Sequence, residues 1–244
     1  MVLKSINRRI NKWSDAVALL TIEFVLLLLA FFIAIAILIV LIRQVFGGNE
    51  PAIDDAVFSF LARYVSPGMT SVMRFFTVFG SHPFLIPAFL LFSAWYYFIK
   101  KNKWFGIKIF VIAASNLLLL FSLKLFFSRP RPLIPLLKEV PGLSFPSGHA
   151  FMSLTFFGLI MYIVYRKVKT QWIKWTSIAM LCIVVLLIGI SRVYLRVHYA
   201  SDVVAGYCFG TLSLIILLFI LHQIEKYNAV RLAPKVNVTK DSVL

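Results

Sequence analysis

Residues 144–167 read SFPSGHAFMSLTFFGLIMYIVYRK, in which a proline, two small residues and a histidine stand directly before an apolar run. Ser147 is a favourable N-cap residue for a helix that follows it. A transmembrane α-helix needs roughly 20 mostly apolar residues, and the run reaches this length with its flanks. The stretch therefore predicts a membrane helix over about 149–165, with Pro146 and Ser147 at its start.

The rest of the chain has the composition of a membrane protein. Hydrophobic residues make up 61% of its 244 residues and charged residues only 14%, whereas charged residues are usually about a quarter of a soluble domain. Five further apolar segments of spanning length lie at about 16–42, 83–99, 104–127, 172–192 and 201–222. We therefore predict an all-α, polytopic fold with six transmembrane helices in a bundle. Residues 1–244 are expected to form one membrane-embedded domain, with a polar cytoplasmic tail over 223–244.

The stretch between the first two spans is too polar to cross a membrane, but it contains two amphipathic patterns. Apolar residues recur at helical spacing in both: Ile53, Val57, Phe60 and Leu61, then Met69, Val72, Met73 and Phe76. The first pattern has Asp54 and Asp55 on its opposite face. Such stripes are typical of helices that lie in the membrane interface. We therefore predict two short interfacial helices between the first and second spans.

The basic residues predict the orientation of the bundle. An even number of spans leaves both termini on one side, and 16 of the 25 Lys and Arg residues fall on that side, in the termini and in the loops near 100 and 170. Lys and Arg are enriched on the cytoplasmic side of membrane proteins. We therefore predict a multi-pass plasma-membrane protein with both termini in the cytoplasm.

The remaining basic residues are on the opposite side, where this rule does not predict them, so their position needs another explanation. Six of them fall within 124–138 and 192–196. The formal net charge of +16 does not indicate nucleic-acid binding, because the basic residues lie between apolar runs rather than on a soluble basic domain. Their concentration on the extracytoplasmic side indicates a site for an anion, most simply a phosphate-type ligand.

Three stretches are predicted to meet on that side: 124–132 at the end of the third span, 146–149 at the start of the fourth, and 191–202 between the fifth and sixth. Lys124, Arg131 and Arg192 supply three cations, and arginine can bind phosphate oxygens in a bidentate way. The free N–H groups behind Ser147 favour an anion. Gly148 allows an oxygen to approach closely.

Two histidines and one carboxylate complete the constellation. His198 and Asp202 are four residues apart, which in a helix places them on one face, so the carboxylate could orient the imidazole. An oriented histidine can be a nucleophile towards phosphorus, and His149 is available as a general acid. A metal site is the rival interpretation, but few acids lie near these stretches, and the surrounding cations would repel a metal ion. We therefore predict chemistry without a metal or other cofactor.

The three stretches together resemble the signature of the type 2 phosphatidic acid phosphatase superfamily, which reads Lys-x6-Arg-Pro, Pro-Ser-Gly-His and Ser-Arg-x5-His-x3-Asp. All eleven specified positions are present in this order: Lys124, Arg131, Pro132, Pro146, Ser147, Gly148, His149, Ser191, Arg192, His198 and Asp202. Many bacterial members have glycine and proline where this chain has Arg196 and Ala200. We therefore regard Arg196 as a possible additional substrate contact.

The resemblance implies a six-helix bundle of bacterial type that hydrolyses lipid phosphates through a phosphohistidine intermediate without a metal. By position, His198 is the nucleophile, Asp202 orients it, and His149 protonates the leaving group and then activates water. The implied phosphate-binding residues are Lys124, Arg131, Ser147, Gly148 and Arg192. The expected substrate is phosphatidylglycerophosphate, undecaprenyl diphosphate or phosphatidate, taken from the bilayer at the extracytoplasmic face.

Two other classes of function remain open from the sequence. A transporter or channel for anionic lipid or phosphate could use the same basic cluster, although it would be expected to carry charges throughout its spans. A lipid-binding accessory protein that has lost activity would usually lack a catalytic histidine, and both histidines are present here.

Overall fold

The computed structural model describes residues 2–47, 52–132, 136 and 141–232, with side chains described between residues 24 and 227. Within these ranges the chain is helical and has no strand. The helices are α1 Val2–Phe46, α2 Ala52–Ala62, α3 Pro67–Val78, α4 His82–Ala94, α5 Lys103–Phe127, α6 Gly148–Lys167, α7 Gln171–Tyr194 and α8 Ala200–Leu232. A π-helical turn, Trp95–Ile99, extends α4.

Six segments of the described chain are long and apolar enough to cross a membrane, which confirms the predicted fold class. They are Phe24–Phe46, Pro67–Ile99, Lys103–Phe127, Gly148–Lys167, Gln171–Tyr194 and Ala200–Tyr227. The boundaries differ from the prediction at both ends of the chain. Helix α1 begins at Val2, well before the predicted span, and α8 continues to Leu232, so the first part of the polar tail is helical.

The region between α1 and α4 also differs in detail from the prediction. Helix α2 is short and packs on α7 and α8, where Val57 and Leu61 contact the buried Val193 and Val203. Helix α3 packs along α7 and, together with α4, forms the candidate span Pro67–Ile99. The second predicted interfacial helix therefore continues into α4, and the two together are long and apolar enough to cross a membrane.

The prediction that Asp54 lies on the polar face of α2 was wrong. Its side chain is turned towards the bundle and the residue is only 2% exposed, whereas Asp55 is exposed. The reason is a set of buried donors on the neighbouring segments: Asp54 Oδ1 accepts a hydrogen bond from the Ser201 backbone N–H, and Oδ2 accepts one from Arg129. A carboxylate with such partners is stable away from water.

Helix α6 lies at the centre of the bundle. Half of its span, 50%, is buried, against 17–33% for the other spans, and it packs against α4, α5, α7 and α8. Aliphatic and aromatic side chains together fill this core; for example, the ring centroids of Phe89 and Phe156 are 4.8 Å apart. Four neighbouring helices thus hold α6 in place, and with it the capping segment at its start.

The contact between α6 and α8 depends on small residues. A Cβ atom added at Gly206 would lie 2.7 Å from the carbonyl oxygen of Ser147 and 3.0 Å from Cβ of Ala150. A Cβ atom at Gly210, one turn later, would lie 3.0 Å from the carbonyl oxygen of Phe151. This G-x-x-x-G spacing lets two membrane helices approach closely. It brings the start of α6 beside the start of α8.

We predict that Gly206→Ala lowers both the stability and the activity of the protein in detergent. The added methyl group meets backbone atoms of α6 rather than a flexible side chain, and overpacking of this kind costs about 1–3 kcal/mol. Thermal unfolding of the purified protein measures the effect. Gly68→Ala is the matched control, because nothing lies within 4 Å of a Cβ atom at that position. Equal melting temperatures for the two variants would contradict this account of the contact.

Candidate active site

The three signature stretches meet at one end of the bundle, which we call the site end. It is formed by the C-terminal ends of α5 and α7 and the N-terminal ends of α6 and α8. Because consecutive spans run in opposite directions, the end of one and the start of the next lie at the same level. The predicted convergence of these helix ends is therefore a feature of the described structure.

His198 is buried in the turn that joins α7 to α8. It is 1% exposed, and its Nε2 atom lies 3.3 Å from Nη1 of Arg131. A guanidinium group can only donate hydrogen bonds, so this contact requires Nε2 to be the acceptor. The proton of the neutral ring is then on Nδ1, which faces Oγ of Ser144 at 3.3 Å and Oδ2 of Asp202 at 3.5 Å. The ring is thus held with the lone pair of Nε2 directed towards Arg131.

The pairing of His198 with Asp202 was predicted, but its geometry was not. His198 lies before α8 rather than within a helix, and Asp202 is in the first turn of α8. The carboxylate of Asp202 accepts a hydrogen bond from the backbone N–H of Tyr199 at 3.0 Å, as an acidic residue at the third helical position often does with the N-cap residue. The same carboxylate therefore caps α8 and orients the histidine in front of it.

The environment of His198 favours its neutral form. Burial lowers the pKa of His198 to about 4, although Asp202 opposes this effect by its hydrogen bond and its charge, and Arg131 and Arg192 reinforce it. Burial also lowers the pKa of Arg131 from its ordinary value, which Asp202 again opposes. At neutral pH, His198 therefore has an unprotonated Nε2 atom next to a cation.

The other two predicted cations are held from different directions. Nζ of Lys124 donates a hydrogen bond of 2.6 Å to the carbonyl oxygen of Leu143. Arg192 is 4% exposed, and its Nη1 donates a hydrogen bond of 2.6 Å to Oγ1 of Thr77 on α3. Its Nε atom is buried and has no hydrogen-bond partner among the described residues. Arg192 therefore has at least one N–H group that is free to bind an oxygen.

The predicted cap of α6 is present. Oγ of Ser147 accepts a hydrogen bond from the backbone N–H of Ala150, and the Ser147 N–H donates to the carbonyl oxygen of Asp202 at 3.0 Å. His149, in the first turn of α6, lies within electrostatic range of His198, Arg131 and Arg192. The start of α6, which carries His149, is thus joined through its backbone to the backbone of Asp202 at the start of α8.

Arg196 stands apart from this group. It is in the left-handed conformation, with a φ of 54°, and it lines a cavity of about 280 Å³ together with Phe58, Ser59, Ala62 and Pro132. No described contact joins it to His149 or His198. Its role as an additional substrate contact therefore stays a prediction.

Comparisons with known proteins agree with the predicted resemblance. A family model described as the PAP2 superfamily matches residues 104–226, about half of the chain. The chain belongs to the PAP2 superfamily. Phosphatidylglycerophosphatase B of Bacillus subtilis (strain 168) is 29% identical over 160 residues, which is 65% of this chain and 78% of that protein.

Two solved structures of PAP2 type also resemble the fold. A transmembrane PAP2 type phosphatidylglycerolphosphate phosphatase from Bacillus subtilis has a TM-score of 0.66 at 25% identity, over 80% of this chain and 96% of that chain. LpxE of Aquifex aeolicus has a TM-score of 0.52 at 28% identity, over 67% of this chain and 93% of that chain. The protein is therefore a multi-pass membrane hydrolase of the lipid phosphatase type.

Within this PAP2 site, the structure adds a buried ion network that the signature does not contain. Arg129 donates hydrogen bonds to Oδ1 of Asp202 at 2.6 Å and to Oδ2 of Asp54 at 3.0 Å. Its guanidinium group also lies over the ring of Tyr199, 4.0 Å from the centroid. Ser144 donates a hydrogen bond to the other carboxylate oxygen of Asp202. The residue that faces His198 is thus itself held by two further side chains, Arg129 and Ser144.

A sequence signal for Arg129 was available and was missed. Residues 129–132 read Arg-Pro-Arg-Pro, and a residue before proline is biased towards an extended conformation. Side chains two residues apart on an extended chain point the same way, so Arg129 should accompany Arg131 into the site. For Ser144 and Asp54 no comparable local pattern exists.

The backbone explains why glycine and proline suit positions 196 and 200 of related proteins. A φ of 54° at position 196 is in the region that favours glycine. Position 200 is the first residue of α8, where the fixed φ of proline is preorganised for the helix. The two departures of this chain from the pattern, Arg196 and Ala200, therefore affect mainly the conformational preference of the backbone.

We predict that Arg196→Gly raises the stability of the protein, by up to about 1 kcal/mol, because the left-handed conformation costs a residue with a side chain about that much. Thermal unfolding in detergent measures this change. Arg74→Gly, in the interior of α3, is the control and should lower stability. If Arg196 also contacts substrate, turnover by Arg196→Gly will fall despite the gain in stability. A decrease in stability would contradict the conformational interpretation.

We predict that Asp54→Asn reduces both stability and turnover, although Asp54 is not in the family signature. The amide removes one of the two carboxylates that balance the buried Arg129, and leaving a buried partner unsatisfied costs on the order of 1–3 kcal/mol. Thermal unfolding and kcat of the same preparation are the measurements. Asp55→Asn, a neighbouring exposed change, is the matched control. Equal behaviour of the two variants would show that the network does not support Asp202.

Proposed function

We propose that this protein hydrolyses a lipid phosphate monoester or diphosphate without a metal, through a phosphohistidine formed at His198. The observation that carries the proposal is the fixed orientation of the His198 ring. Its Nε2 lone pair is directed towards a cation, and its Nδ1 proton is directed towards the carboxylate of Asp202. A nitrogen nucleophile for phosphorus needs an unprotonated atom and a partner that orients the ring, and this arrangement supplies both.

The binding step uses the cations at the ends of the spans. A phosphoryl group placed next to His198 takes over the Arg131 N–H that is now shared with Nε2, and the unpartnered Nε of Arg192 provides a second donor. Lys124, the backbone of Gly148 and the N-terminus of α6 behind Ser147 complete the proposed phosphate-binding set. These groups stabilise the charge that accumulates on the equatorial oxygens in the transition state.

The chemical step then proceeds in two stages. Nε2 of His198 forms a bond to phosphorus while the bond from phosphorus to the leaving oxygen breaks, and His149 supplies a proton to that oxygen. Water, deprotonated by His149, next attacks phosphorus and breaks the P–N bond, which releases inorganic phosphate and restores the histidine. Asp202 stabilises the positive ring during both stages.

A metal-free mechanism is supported by the charges of the site. Lys124, Arg131 and Arg192 provide around the phosphoryl position the positive charge that a divalent ion would otherwise supply. Among the residues that the structure describes, no group of three or more His, Cys, Asp and Glu side chains comes together. The cations and the chemistry of this donor set favour an anion over a cation as the ligand.

The proposed substrate and side of action are supported by the membrane setting and by the relatives. Most Lys and Arg residues are predicted to lie at the other, cytoplasmic end of the bundle. We therefore propose that the site is at the extracytoplasmic face. Relatives named as phosphatidylglycerophosphatases support phosphatidylglycerophosphate as one substrate. Undecaprenyl diphosphate and phosphatidate, which also present a phosphate at the membrane surface, are the other candidates.

The proposal predicts that His198→Ala loses at least about 10³-fold in phosphate release, and that His149→Ala loses about 10²–10⁴-fold. Activity should be unchanged by EDTA. Phosphate release from detergent-solubilised protein, with lipid phosphates as substrates, is the measurement. His222→Ala is the control, because His222 is an exposed residue far along α8. Full turnover by His198→Ala would exclude the proposed nucleophile.

A direct test of the intermediate uses a substrate with a good leaving group. Because His149 acts in both stages, His149→Ala should accumulate the phosphoenzyme when the first stage needs no proton donor. Radiolabelled phosphate should then remain on the protein after base treatment and be lost in acid, as expected of a P–N bond. The absence of label in His149→Ala, with label also absent in the wild type, would contradict the covalent mechanism.

A further inference from the structure

A third histidine lies next to His149, the proposed general acid of the site. It comes from a part of the chain outside the family signature. The ring of His82, the first residue of α4, is 6.5 Å from the ring of His149 and nearly perpendicular to it. Its other face stacks on Phe121 of α5 at 6.5 Å. The sequence motifs do not include His82. The fold nevertheless brings it into the proposed active site.

Gly80 allows this approach, and Gly148 lies beside His82. A Cβ atom at Gly80 would lie 3.1 Å from Cδ2 and 3.2 Å from Cβ of His149. A Cβ atom at Gly148 would lie 3.7 Å from Cε1 and 3.9 Å from Nε2 of His82. The turn between α3 and α4 and the start of α6 are therefore in close contact, and the Nε2 edge of His82 faces the phosphate-binding segment.

The Nε2 atom of His82 is buried and has no hydrogen-bond partner among the described residues. Buried polar atoms nearly always have a partner, so each exception needs a reason. Only four such side-chain atoms occur in the described part of the chain, and two of them, Nε2 of His82 and Nε of Arg192, are at the site end. The charges of Lys124 and Arg192 also act on the His82 ring. These groups share a region that suits an anion.

The position of His82 relative to His149 indicates which part of a substrate it would meet. In the proposed mechanism, which this inference extends, His149 gives its proton to the leaving oxygen. A donor beside His149 is therefore on the leaving-group side. In a simple lipid monophosphate, such as phosphatidate or a prenyl monophosphate, the leaving group is an alcohol without phosphate oxygens. In a lipid diphosphate it is a second phosphate attached directly through the bridging oxygen, whereas in phosphatidylglycerophosphate the second phosphate lies farther away, across a glycerol.

We propose that His82 is a substrate-contact residue that donates a hydrogen bond from Nε2 to the leaving phosphate, and that it directs the site towards lipid diphosphates. During the first stage, the bond between the bridging oxygen and the terminal phosphorus breaks as Nε2 of His198 bonds to that phosphorus. The lipid monophosphate leaves with the proton from His149. His82 forms no covalent bond, and the new charge on the leaving phosphate strengthens its hydrogen bond.

The test compares two substrates with the same lipid chain, farnesyl diphosphate and farnesyl monophosphate, on the full-length protein in detergent. His82→Phe keeps an aromatic ring for the contacts with His149 and Phe121 but removes the N–H group. We expect kcat/KM for the diphosphate to fall about ten- to hundredfold, and that for the monophosphate at most about threefold. His82→Asn, which retains an N–H donor on a shorter side chain, should recover part of the lost selectivity. His222→Phe, an exposed change on α8, is the matched control and should preserve the ratio.

The possible outcomes separate this inference from the proposed function. Suppose that wild-type activity depends on His198, but His82→Phe lowers kcat/KM equally for both substrates, only for the monophosphate, or for neither. The proposed role of His82 is then wrong, and the proposed function stands. If His198→Ala retains full turnover, the proposed function itself fails. If His82→Phe does not fold, as judged by thermal unfolding, His82→Gln and His82→Leu provide the same comparison with and without a donor.

Discussion

The buried carboxylate of Asp202 is the group on which the site depends. It is 0% exposed, and a charge in such a position is stable only when it is fully hydrogen-bonded. The chain meets this requirement from four directions, with Arg129, Ser144, the Tyr199 backbone N–H and the ring of His198. The donors come from three segments, at positions 129, 144 and 198–199, so satisfying one charge fixes these segments relative to one another. The orientation of His198 is a consequence of this constraint.

The position of Asp202 is in turn fixed by helix packing. The close approach of α8 to α6 at Gly206 and Gly210 brings the backbone of Asp202 to the N–H of Ser147. Helix α2 reaches the same point through Asp54, which accepts from the backbone and the hydroxyl of Ser201. A helix from a region that the family signature does not cover is therefore part of the support of the proposed catalytic centre. In the proposed mechanism, stability and catalysis depend on the same hydrogen bonds at this end of the bundle.

The sequence predicted the parts of the molecule that have a local cause. Runs of apolar residues have the length of a membrane, so the six spans could be read directly, and the alternation of direction put the signature stretches at one end. The ends of α1 and α8 were not predicted, because a helix can continue past the apolar run that defines its span. The helical geometry assumed for His198 and Asp202 was wrong, since four-residue spacing alone does not distinguish a helix from a capping turn.

The residues that the sequence did not predict owe their positions to partners that are distant in the sequence. Asp54 is buried because Arg129 and Ser201 lie opposite it, and its separation of 75 residues from Arg129 leaves no local pattern. The proximity of His82 to His149 likewise leaves no local pattern, because the two histidines belong to different helices. Charged residues near a membrane surface are more often solvated than paired, so composition favoured the wrong assignment for Asp54.

In the proposed mechanism, the contact between Arg131 and His198 also determines which ring nitrogen of His198 is phosphorylated. An imidazole offers two nitrogen atoms, and phosphorylation can give two isomers that differ in chemical stability and in their spectra. Here Nδ1 carries the proton and faces Asp202 and Ser144, so only Nε2 is open to an electrophile. Any phosphoryl group that His198 accepts is thereby confined to the nitrogen farther from the backbone.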